Sequence, residues 1–437
     1  MALKILHISD IHFKHYKNFE CLDLDKDIQR EIEHDLSGLK SEYGTIDVIL
    51  IGGDIAFSGK LEEYAQADQW IKRICEITGC KEENVLMVPG NHDVDRSKFN
   101  PILKNLHQSF KTLRSRRDID YQISEFIRDP ESASILLSPF HNYRAFAQKY
   151  GSIPEETNLL YWEKDFNVDN CVLRIRGVNS ALISNETDEE HTSKLILGSH
   201  QSNIVRDNGV VYLVLCHHPP QWLYDMDDTV RDFNARAKIL LYGHKHSFSA
   251  DTFNNSLVLS AGAMQPSRNE SDWEPRYNII DLQIDNLNDP VQLAVKLYER
   301  KWNKRDKAFD AEYSRNGEDF KKFSLKLTEH EIRAYDEFTK NVEENDNELE
   351  NNPMAENIID PSISDPKRKL AYMFLSLPYH TKLIIAVKLD LIDDSDSDLE
   401  EIKKTQNYFR RADEKGKLRE LWDEVTQQSG NKLTNPF

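Results

Sequence analysis

Short apolar runs rich in β-branched residues constrain the fold of this chain more than any other feature. Several end at glycine or at a polar residue, and the runs lie at 3–9, 46–53, 84–90, 171–179, 209–216, 237–243, 256–262, 277–284 and 291–298. Runs of this length, bounded by turn-forming residues, are typical of buried β-strands. The sequence therefore predicts a sheet-containing core from residue 1 to about 300.

Helical stretches separate the first of these runs. Residues 26–43 and 61–78 have helical character and lie between the first three runs. Alternation of strand and helix predicts parallel β-α-β units whose sheet is covered by helices. The later runs follow each other closely, and we interpret this spacing as antiparallel pairing. The prediction is a mixed α/β core.

Residues 98–165 break this alternation. They contain amphipathic helical stretches, and we predict a helical insertion that caps one edge of the core. The stretch 111–118 within it is basic, with Lys111, Arg114, Arg116 and Arg117. These side chains form either a solvated helix face or a contact to a phosphate backbone.

The remainder of the 437-residue chain divides by composition. Residues 301–340 form a polar tail of the core domain. Residues 341–366 begin with five carboxylates and no base among ten residues and then contain prolines, which indicates a linker. Residues 367–437 return to helical periodicity. They predict a small, separate all-helical module.

Composition narrows the class of protein. The chain lacks the ~20 consecutive apolar residues that would span a bilayer, and "MALKILHISD" is too short in its apolar part for a signal peptide. We therefore expect a cytoplasmic protein without a membrane partner. The formal net charge of −19 argues against non-specific coating of nucleic acid. A cation-filled cleft would still bind phosphates.

Five of the apolar runs are followed by residues of the types that commonly bind metal ions. Oxygen and imidazole ligands follow the runs at 3–9, 46–53, 84–90, 209–216 and 237–243, namely Asp10, His12, Asp54, Asn91, His92, Asp93, His217, His218, His244 and His246. Such groups gather at the carboxyl ends of strands in sheets with parallel units. A set of imidazoles, carboxylates and an amide, without cysteine, suits manganese, iron, zinc or nickel.

Spacing adds a geometric expectation. Alternate residues of an extended chain point the same way, so Asp10 and His12 can reach one ion, and so can His244 and His246. Two of the 15 histidines could also lie close together by chance. The histidine pair is therefore interpreted together with the four other blocks.

Taken in order, the blocks "SDIH", "GGD", "GNHD", "HHPP" and "GHKH" resemble the calcineurin-like metallophosphoesterase superfamily, over residues 1 to about 265. The resemblance implies a four-layer α/β fold, a β-sandwich flanked by helices. It implies two divalent metal ions, with manganese favoured, bridged by an aspartate and a hydroxide. It also implies hydrolysis of phosphoric ester bonds by attack of that hydroxide.

The resemblance further implies a role for each ligand. The first metal ion would be bound by Asp10, His12 and His246. The second would be bound by Asn91, His217 and His244. Asp54 would bridge the two ions. His244 and His246 would then belong to different ions, which corrects the expectation from spacing alone.

Other residues of these blocks have open assignments. His92 is implied as the non-ligand histidine that stabilises the leaving oxygen, and Asp93 either orients it or holds a strand end. Asn91 is also expected to contact substrate. His218 either supports the site or contacts substrate, or it only shapes the "HHPP" turn. Arg96 either binds a substrate phosphate or is simply exposed.

The blocks "GGDIAFSG", "VPGNHDVDR" and "HHPP" are most similar to the bacterial phosphodiesterase branch of the superfamily, which includes cyclic-nucleotide phosphodiesterases. Protein serine/threonine phosphatases carry "GNHE" where this chain has "GNHD". We therefore predict a phosphodiesterase acting on a nucleotide or nucleic acid, a nuclease being one form of it. A phosphomonoesterase for nucleotides or proteins is the alternative.

The predicted module at 367–437 resembles the small helical adaptor domains that bacterial conflict and signalling systems attach to effectors. The resemblance implies that these residues recruit a protein partner in a defence or signalling complex. Two alternatives stay open. The module either packs on the core or mediates self-association.

Overall fold

The computed structural model describes residues 2–15, 25–151, 160–169, 171–185, 195–266, 273–286, 290–314 and 316–332, and then 367, 370, 374, 377, 379–393, 396 and 401–428. The chain divides into two compact units, Met1–Asn341 and Val342–Phe437. The predicted linker at 341–366 lies outside the described residues. Within the described residues, no helix has the length and apolarity that crossing a bilayer requires.

The first unit contains two β-sheets. Its strands are β1 (Leu3–Ile8), β2 (Val48–Ile51), β3 (Val85–Met87), β4 (Tyr161–Val168), β5 (Cys171–Val178), β6 (Val210–Cys216), β7 (Ala237–Tyr242), β8 (Phe248–Phe253), β9 (Ser256–Ala261), β10 (Arg276–Asp285), β11 (Gln292–Asn303), β12 (Ala308–Ala311) and β13 (Lys321–Lys326). The first sheet has the order β12-β11-β10-β1-β2-β3, with β13 also paired to β11. The second sheet has the order β4-β5-β6-β7-β9-β8.

Helices lie between these strands. They are α1 (Lys26–Tyr43), α2 (Leu61–Thr78), α3 (Pro101–Lys111), α4 (Arg116–Arg128), α5 (Pro130–Leu137), α6 (His141–Lys149), α7 (Ser199–Ser202) and α8 (Met226–Asn234). The bounds of α1 and α2 are those predicted from the sequence. Both helices end at a glycine, and Gly79 after α2 has the left-handed conformation that favours this residue.

Pairing differs from the prediction in the second sheet. The parallel pairs β1–β2 and β2–β3 agree with the predicted β-α-β units. The later strands β10 and β11 are antiparallel as expected. The expectation is wrong for β6, β7 and β9, which pair in parallel. The connection from β6 to β7 contains α8, and the connection from β7 to β9 contains the edge strand β8, so both returns are long enough for a crossover.

The two sheets pack face to face, with helices on both outer faces. In β2, Val48 and Leu50 contact the other sheet, whereas Ile49 and Ile51 contact the apolar layer that includes α1 and α2. This alternation follows from the two-residue period of a strand. The apolar residues of α3, α4 and α5 pack on the outer face of the second sheet. The predicted four-layer α/β sandwich is thereby confirmed.

The predicted insertion at 98–165 has a different position and extent. Helices α3 to α6 occupy Pro101 to Lys149, and β4 begins at Tyr161, so the last five residues of the range are extended. Helices α3, α4 and α5 cover a sheet face instead of capping an edge, because Leu103 and Ile119 share an apolar cluster with Tyr212 of β6.

Edge strands are the elements that the sequence did not indicate. Strands β12 and β13 lie within 301–340, the predicted polar tail, and both pair with β11. In β13 only Leu325 is buried, since one face of this strand is open to water. Strands β4 and β8 at the edges of the second sheet were also missed. Their polar residues conceal the alternation that marks a half-buried strand.

The described part of the second unit is helical. It contains α9 (Tyr379–Lys388), α10 (Glu401–Glu414) and α11 (Leu418–Gln428). Ile385, Tyr408, Leu421 and Trp422 are buried in one apolar cluster. Asp396 accepts hydrogen bonds from both terminal nitrogens of Arg411 and from the Asn407 amide.

Candidate metal centre

The polar residues that follow five strands lie together in the first unit. Four groups of three side chains each have their ligand atoms within 4.8 Å of one another, namely Asp10–His12–His246, Asp10–Asp54–His217, His12–Asp54–His92 and His217–His218–His244. The contributing strands are β1, β2 and β3 of the first sheet and β6 and β7 of the second. The site therefore forms where the carboxyl ends of parallel strands from both sheets meet.

Backbone conformation distinguishes these residues from ordinary strand ends. Asp10, His12, Asp54 and His244 have φ values of 54°, 53°, 51° and 63°. This left-handed region costs a non-glycine residue on the order of 1–3 kcal/mol. The turns are held by hydrogen bonds, since the N–H groups of Ile11 and His12 both donate to the Asp54 carbonyl at 2.9 Å. Such strain clusters at functional sites.

Asp10 has one satisfied oxygen and one that is not. Its Oδ2 accepts hydrogen bonds from Ser9 Oγ at 2.6 Å and from the His244 N–H at 3.1 Å. Its Oδ1 is buried without a hydrogen-bond partner among the described residues, and His246 Nε2 lies 3.8 Å away. A buried carboxylate oxygen without a donor is costly, and a cation would satisfy it. This corner of the site therefore fits a metal ion.

Asp54 lies between the ligand groups. Its Oδ2 is 3.4 Å from His217 Nε2 and 3.9 Å from His12 Nε2, and its Oδ1 accepts the N–H of His92 at 2.8 Å. Gly90 makes room for this carboxylate, because a Cβ at that position would lie 2.1 Å from Asp54 Oδ1. One carboxylate thus reaches imidazoles on both sides.

His217 presents a lone pair to other acceptors. Its Nδ1 donates to the Gly52 carbonyl at 2.8 Å, so Nε2 is the nitrogen that can hold either a proton or a metal ion. That Nε2 lies 3.2 Å from Asn91 Oδ1 as well as near Asp54 Oδ2. Lone pairs that face one another require a proton or a cation between them. The donor set therefore fits a second metal ion beside Asn91.

Burial and charge act on these groups in opposite directions. Burial lowers the pKa of His12 and of His244 to about 3, so both rings are neutral near pH 7, the form that binds metals. Burial also opposes a charged His217, but the Asp54 carboxylate outweighs it and raises the pKa of His217 to about 9. The same contact holds the pKa of Asp54 well below its usual range, although burial disfavours its charge.

His92 and Asp93 are held by different partners. His92 Nδ1 donates to the Phe57 carbonyl at 2.7 Å, and its ring lies 4.7 Å from that of His12. Asp93 accepts N–H groups of the loops after β2 and β3 and also the Tyr64 hydroxyl. Burial, and then the charge of Asp54, raise the pKa of Asp93 to about 6. These contacts favour a role for Asp93 in holding strand ends.

His218 and Arg96 differ in burial and in their contacts with the ligand groups. His218 is buried, its Nδ1 is 2.9 Å from Ser180 Oγ, and its ring lies 4.6 Å from that of His244. Its Nε2 has no hydrogen-bond partner among the described residues. Arg96 is exposed and lines a cleft beside α3, and it is absent from the four ligand groups.

Three supporting residues were missed in the sequence. Ser9 donates to Asp10, Ser180 contacts His218, and the ring of Trp222 lies 4.2 Å from that of His244. Ser9 was detectable, since it precedes Asp10 in the "SDIH" block. Ser180 is remote in sequence from His218, whereas Trp222 lies only two residues after the "HHPP" block. Neither residue belongs to the five blocks.

The basic stretch at 111–118 divides in the structure. Arg116 pairs with Asp225 at 3.2 Å and with Asp232 at 3.1 Å, so it holds helices of this layer together. Arg114 and Arg117 are exposed, and Lys111 lines the cleft beside α3. The solvated-face interpretation therefore fits Arg114 and Arg117, whereas Arg116 is structural.

Comparison with known proteins gives two family matches. Residues 3–248 match the model described as "Calcineurin-like phosphoesterase", and residues 366–427 match the model described as "GTPase-associated adaptor domain". The protein "Uncharacterized metallophosphoesterase-like protein YydB" of Bacillus subtilis (strain 168) is 23% identical over 378 residues, which cover 82% of this chain and 71% of the relative.

Two more similarities are partial. "Glycerophosphodiester phosphodiesterase GpdQ" of Enterobacter lignolyticus (strain SCF1) is 31% identical over 104 residues, which cover 23% of this chain and 33% of that protein. Among solved structures, the purple acid phosphatase PPD1 from yellow lupin (Lupinus luteus) seeds is similar at 14% identity and a TM-score of 0.39, over 76% of this chain and 55% of that one.

Proposed function

Because the chain belongs to the calcineurin-like phosphoesterase family, we propose that it is a binuclear metal-dependent phosphodiesterase acting on a nucleotide or nucleic-acid phosphodiester. The family is one of hydrolases that act on phosphoester bonds, and this chain retains its metal-binding His/Asp clusters. Membership confirms the resemblance stated from the five sequence blocks. The match at 366–427 confirms the resemblance of the C-terminal module to adaptor domains.

The main observation that supports the proposal is the position of Asp54. Its Oδ2 lies 3.9 Å from His12 Nε2 and 3.4 Å from His217 Nε2, so one carboxylate can serve two ions. We assign the first ion to Asp10, His12 and His246 and the second to Asn91, His217 and His244. Two divalent cations held there would supply electrophilic stabilisation of phosphate oxygens and a water of lowered pKa. The nitrogen and oxygen donors favour manganese, with iron, zinc or nickel as alternatives.

His92 is the residue we assign to the leaving group. Its Nδ1 is engaged by the Phe57 carbonyl, so Nε2 is the nitrogen available to substrate. A protonated His92 would donate to the departing oxygen. Asp93 supports this step by holding the loop that carries His92, since it accepts the Gly90 N–H at 2.9 Å.

Asn91 and His218 are assigned to substrate contact. The Asn91 amide lies beside His217, where it can contact a phosphoryl oxygen as well as an ion. His218 Nε2 is buried beside His244 without a hydrogen-bond partner among the described residues. Buried polar atoms are normally satisfied, so this nitrogen is suited to a substrate oxygen or an ordered water.

Hydrolysis of bis(p-nitrophenyl) phosphate tests the proposal. With manganese, the purified full chain should turn over this diester, and Asp54→Asn should reduce turnover at least ~10³-fold. His34→Ala replaces an exposed histidine of α1 and is the matched control. Circular dichroism should show that both variants fold. Inactivity of the wild-type chain with manganese, iron, zinc and nickel would refute the proposal.

A phosphomonoesterase is the alternative within the same chemistry. The name of the partial relative, glycerophosphodiester phosphodiesterase, supports the diester assignment over a match of 104 residues. The ratio of rates on bis(p-nitrophenyl) phosphate and p-nitrophenyl phosphate discriminates the two. A faster monoester reaction would favour a nucleotide or protein phosphatase.

A second function is assigned to the C-terminal unit. Its adaptor-domain match supports recruitment of a protein partner, and the description of that domain points to a GTPase. Ile384 and Val387 lie about one turn apart on α9 and are 49% and 63% exposed, as a docking face requires. Ile384→Asp with Val387→Asp should abolish binding to a purified candidate GTPase without changing diester hydrolysis. Loss of a dimer in light scattering would instead indicate self-association.

A further inference from the structure

A cleft of about 350 Å³ lies between α3 and two chain segments, one that follows β3 and one that follows β5. Lys104, Gln108 and Lys111 of α3 line one wall, and Arg96, Phe99 and Asn185 line the other. No acidic residue is among the described residues that line it. In a chain with a net charge of −19, three cations around one cleft indicate a local anion-binding surface.

The orientation of α3 follows from its apolar face. Leu103, Leu106 and Phe110 are buried in the layer on the second sheet. Residues 104, 108 and 111 share another face of the helix, because they are separated by four and three positions. Burial of one face thus directs the two lysines into the cleft. The helix start is fixed by Asn100, whose side chain accepts the Leu103 N–H at 2.9 Å.

The other wall of the cleft is connected to the metal centre. Arg96 follows His92 by four residues, which limits their separation to about 14 Å. Asn185 follows Ser180 by five residues, and Ser180 Oγ lies 2.9 Å from His218 Nδ1. Val94 and Ala181 pack in one apolar cluster, with Phe99 packed against it, so the two segments are held side by side. A substrate at the centre can therefore extend into the cleft.

We propose that this cleft binds a second phosphate group of the substrate, and that the substrate is a single-stranded oligonucleotide. The inference rests on the proposed phosphodiesterase function. Arginine can bind a phosphate through two parallel hydrogen bonds, and lysines act as point charges around it. The half-buried Phe99 offers a ring against which a base can stack. A cyclic mononucleotide has one phosphate and cannot fill both the metal centre and the cleft.

Two matched double variants test the proposal in the full chain. Lys104→Ala with Lys111→Ala removes cleft charges, whereas Arg114→Ala with Arg117→Ala removes two exposed charges nearby that do not line the cleft. Alanine is the best helix former, so the helix is expected to persist, and a thermal melt verifies it. With manganese, kcat and KM are measured on a labelled single-stranded DNA and on bis(p-nitrophenyl) phosphate.

In the cleft variant, the ratio of kcat/KM on DNA to that on the small diester should fall about tenfold, mainly through KM. The salt dependence of DNA binding should become shallower by about 1.4, since each lost phosphate contact contributes about 0.7. The control variant should keep the wild-type ratio and slope. An unchanged ratio in the cleft variant, or an equal fall in both variants, would overturn the proposal.

The experiments distinguish a wrong cleft proposal from a wrong proposed function. If the wild-type chain does not hydrolyse the small diester with any of the four metals, the proposed function fails. Fluorescence anisotropy of the labelled DNA then tests the cleft without turnover, in the presence of EDTA. Weaker binding by the cleft variant alone supports the cleft, and equal binding by both double variants overturns it.

Discussion

Asp10 in the first unit and Asp396 in the second are both buried carboxylates, with exposed fractions of 0% and 3%. Arg411 and Asn407 satisfy both oxygens of Asp396. Asp10 has one oxygen, Oδ1, without a hydrogen-bond partner among the described residues. A carboxylate that the protein satisfies itself stabilises the fold, whereas one left with an open oxygen is suited to a ligand. The number of satisfied oxygens thus separates a structural from a functional aspartate.

Replacing Asp10 is the strongest way to break this comparison. Asp10→Asn should reduce diester hydrolysis at least ~10³-fold, because the amide lacks the charge that holds a cation. Manganese at about 100 times its Kd should stabilise the wild-type first unit by ~2.7 kcal/mol, and the variant should lose this effect. In EDTA the variant should unfold at no lower temperature than wild type, since burial raises the pKa of Asp10 and disfavours its charge. A large destabilisation in EDTA would make Asp10 structural.

Gly90 tests the functional carboxylates in another way, because its substitution changes the space around Asp54 and leaves the charge of that residue unchanged. In Gly90→Ala the new Cβ would lie 2.1 Å from Asp54 Oδ1 and would displace that carboxylate. A displacement of about 1 Å can cost ~10²-fold in turnover. The control is Gly38→Ala in α1, where a Cβ meets nothing within 4 Å. It should stabilise by ~0.5–1 kcal/mol and keep full activity. Equal kinetics in the two variants would contradict the assignment of Asp54.

The smallest expected effect concerns Asp396. The Arg411 hydrogen bonds lower its pKa to about 2, against the burial that would raise it. The pKa is depressed on folding, so the stabilisation is present above about pH 4 and is lost as the pH falls towards 2. The protection factors of the amides in α10, which are corrected for the intrinsic exchange rate at each pH, should therefore fall on acidification in wild type. Asp396→Asn should exchange faster already at pH 5 and keep diester hydrolysis.

Asp413→Asn is the matched control for this prediction. Asp413 pairs with Lys367 at 2.8 Å, but their side chains are 45% and 55% exposed. Exposed ion pairs contribute only ~0–1 kcal/mol. Exchange in this variant should resemble wild type at pH 5. If the two aspartate variants behave alike, burial is not what distinguishes Asp396.

Much of the site was predictable from the sequence because each ligand block immediately follows a strand-like run. Asp10 and His12 follow β1, and His244 and His246 follow β7, so local order was sufficient to identify them. The left-handed conformations were not predictable, since none of the four residues that adopt them at the site is a glycine or precedes a glycine or a proline. They are imposed by tertiary hydrogen bonds such as that from His12 N–H to the Asp54 carbonyl.

The fold was predictable where pattern and pairing depend on nearby residues. The bounds of α1 and α2 followed from local signals, whereas the parallel pairing of β6, β7 and β9 depends on where α8 and β8 pack. Polar edge strands such as β13 form because they pair with strands that are remote in sequence. Their own residues show little of the apolar alternation that predicts a strand. Ser180 was missed for the same reason, because the pairing of β5 with β6 brings it to His218.

The candidate ligands extend along the chain from Asp10 to His246, and both sheets contribute to them. This arrangement has a consequence for biosynthesis. On the ribosome, a nascent chain cannot complete the site until residue 246 has emerged and both sheets have packed. Metal loading would then be a late event in the folding of the first unit, because a chain interrupted before β7 lacks His244 and His246. Capture of the ions would thus mark chains in which both sheets of the first unit have packed.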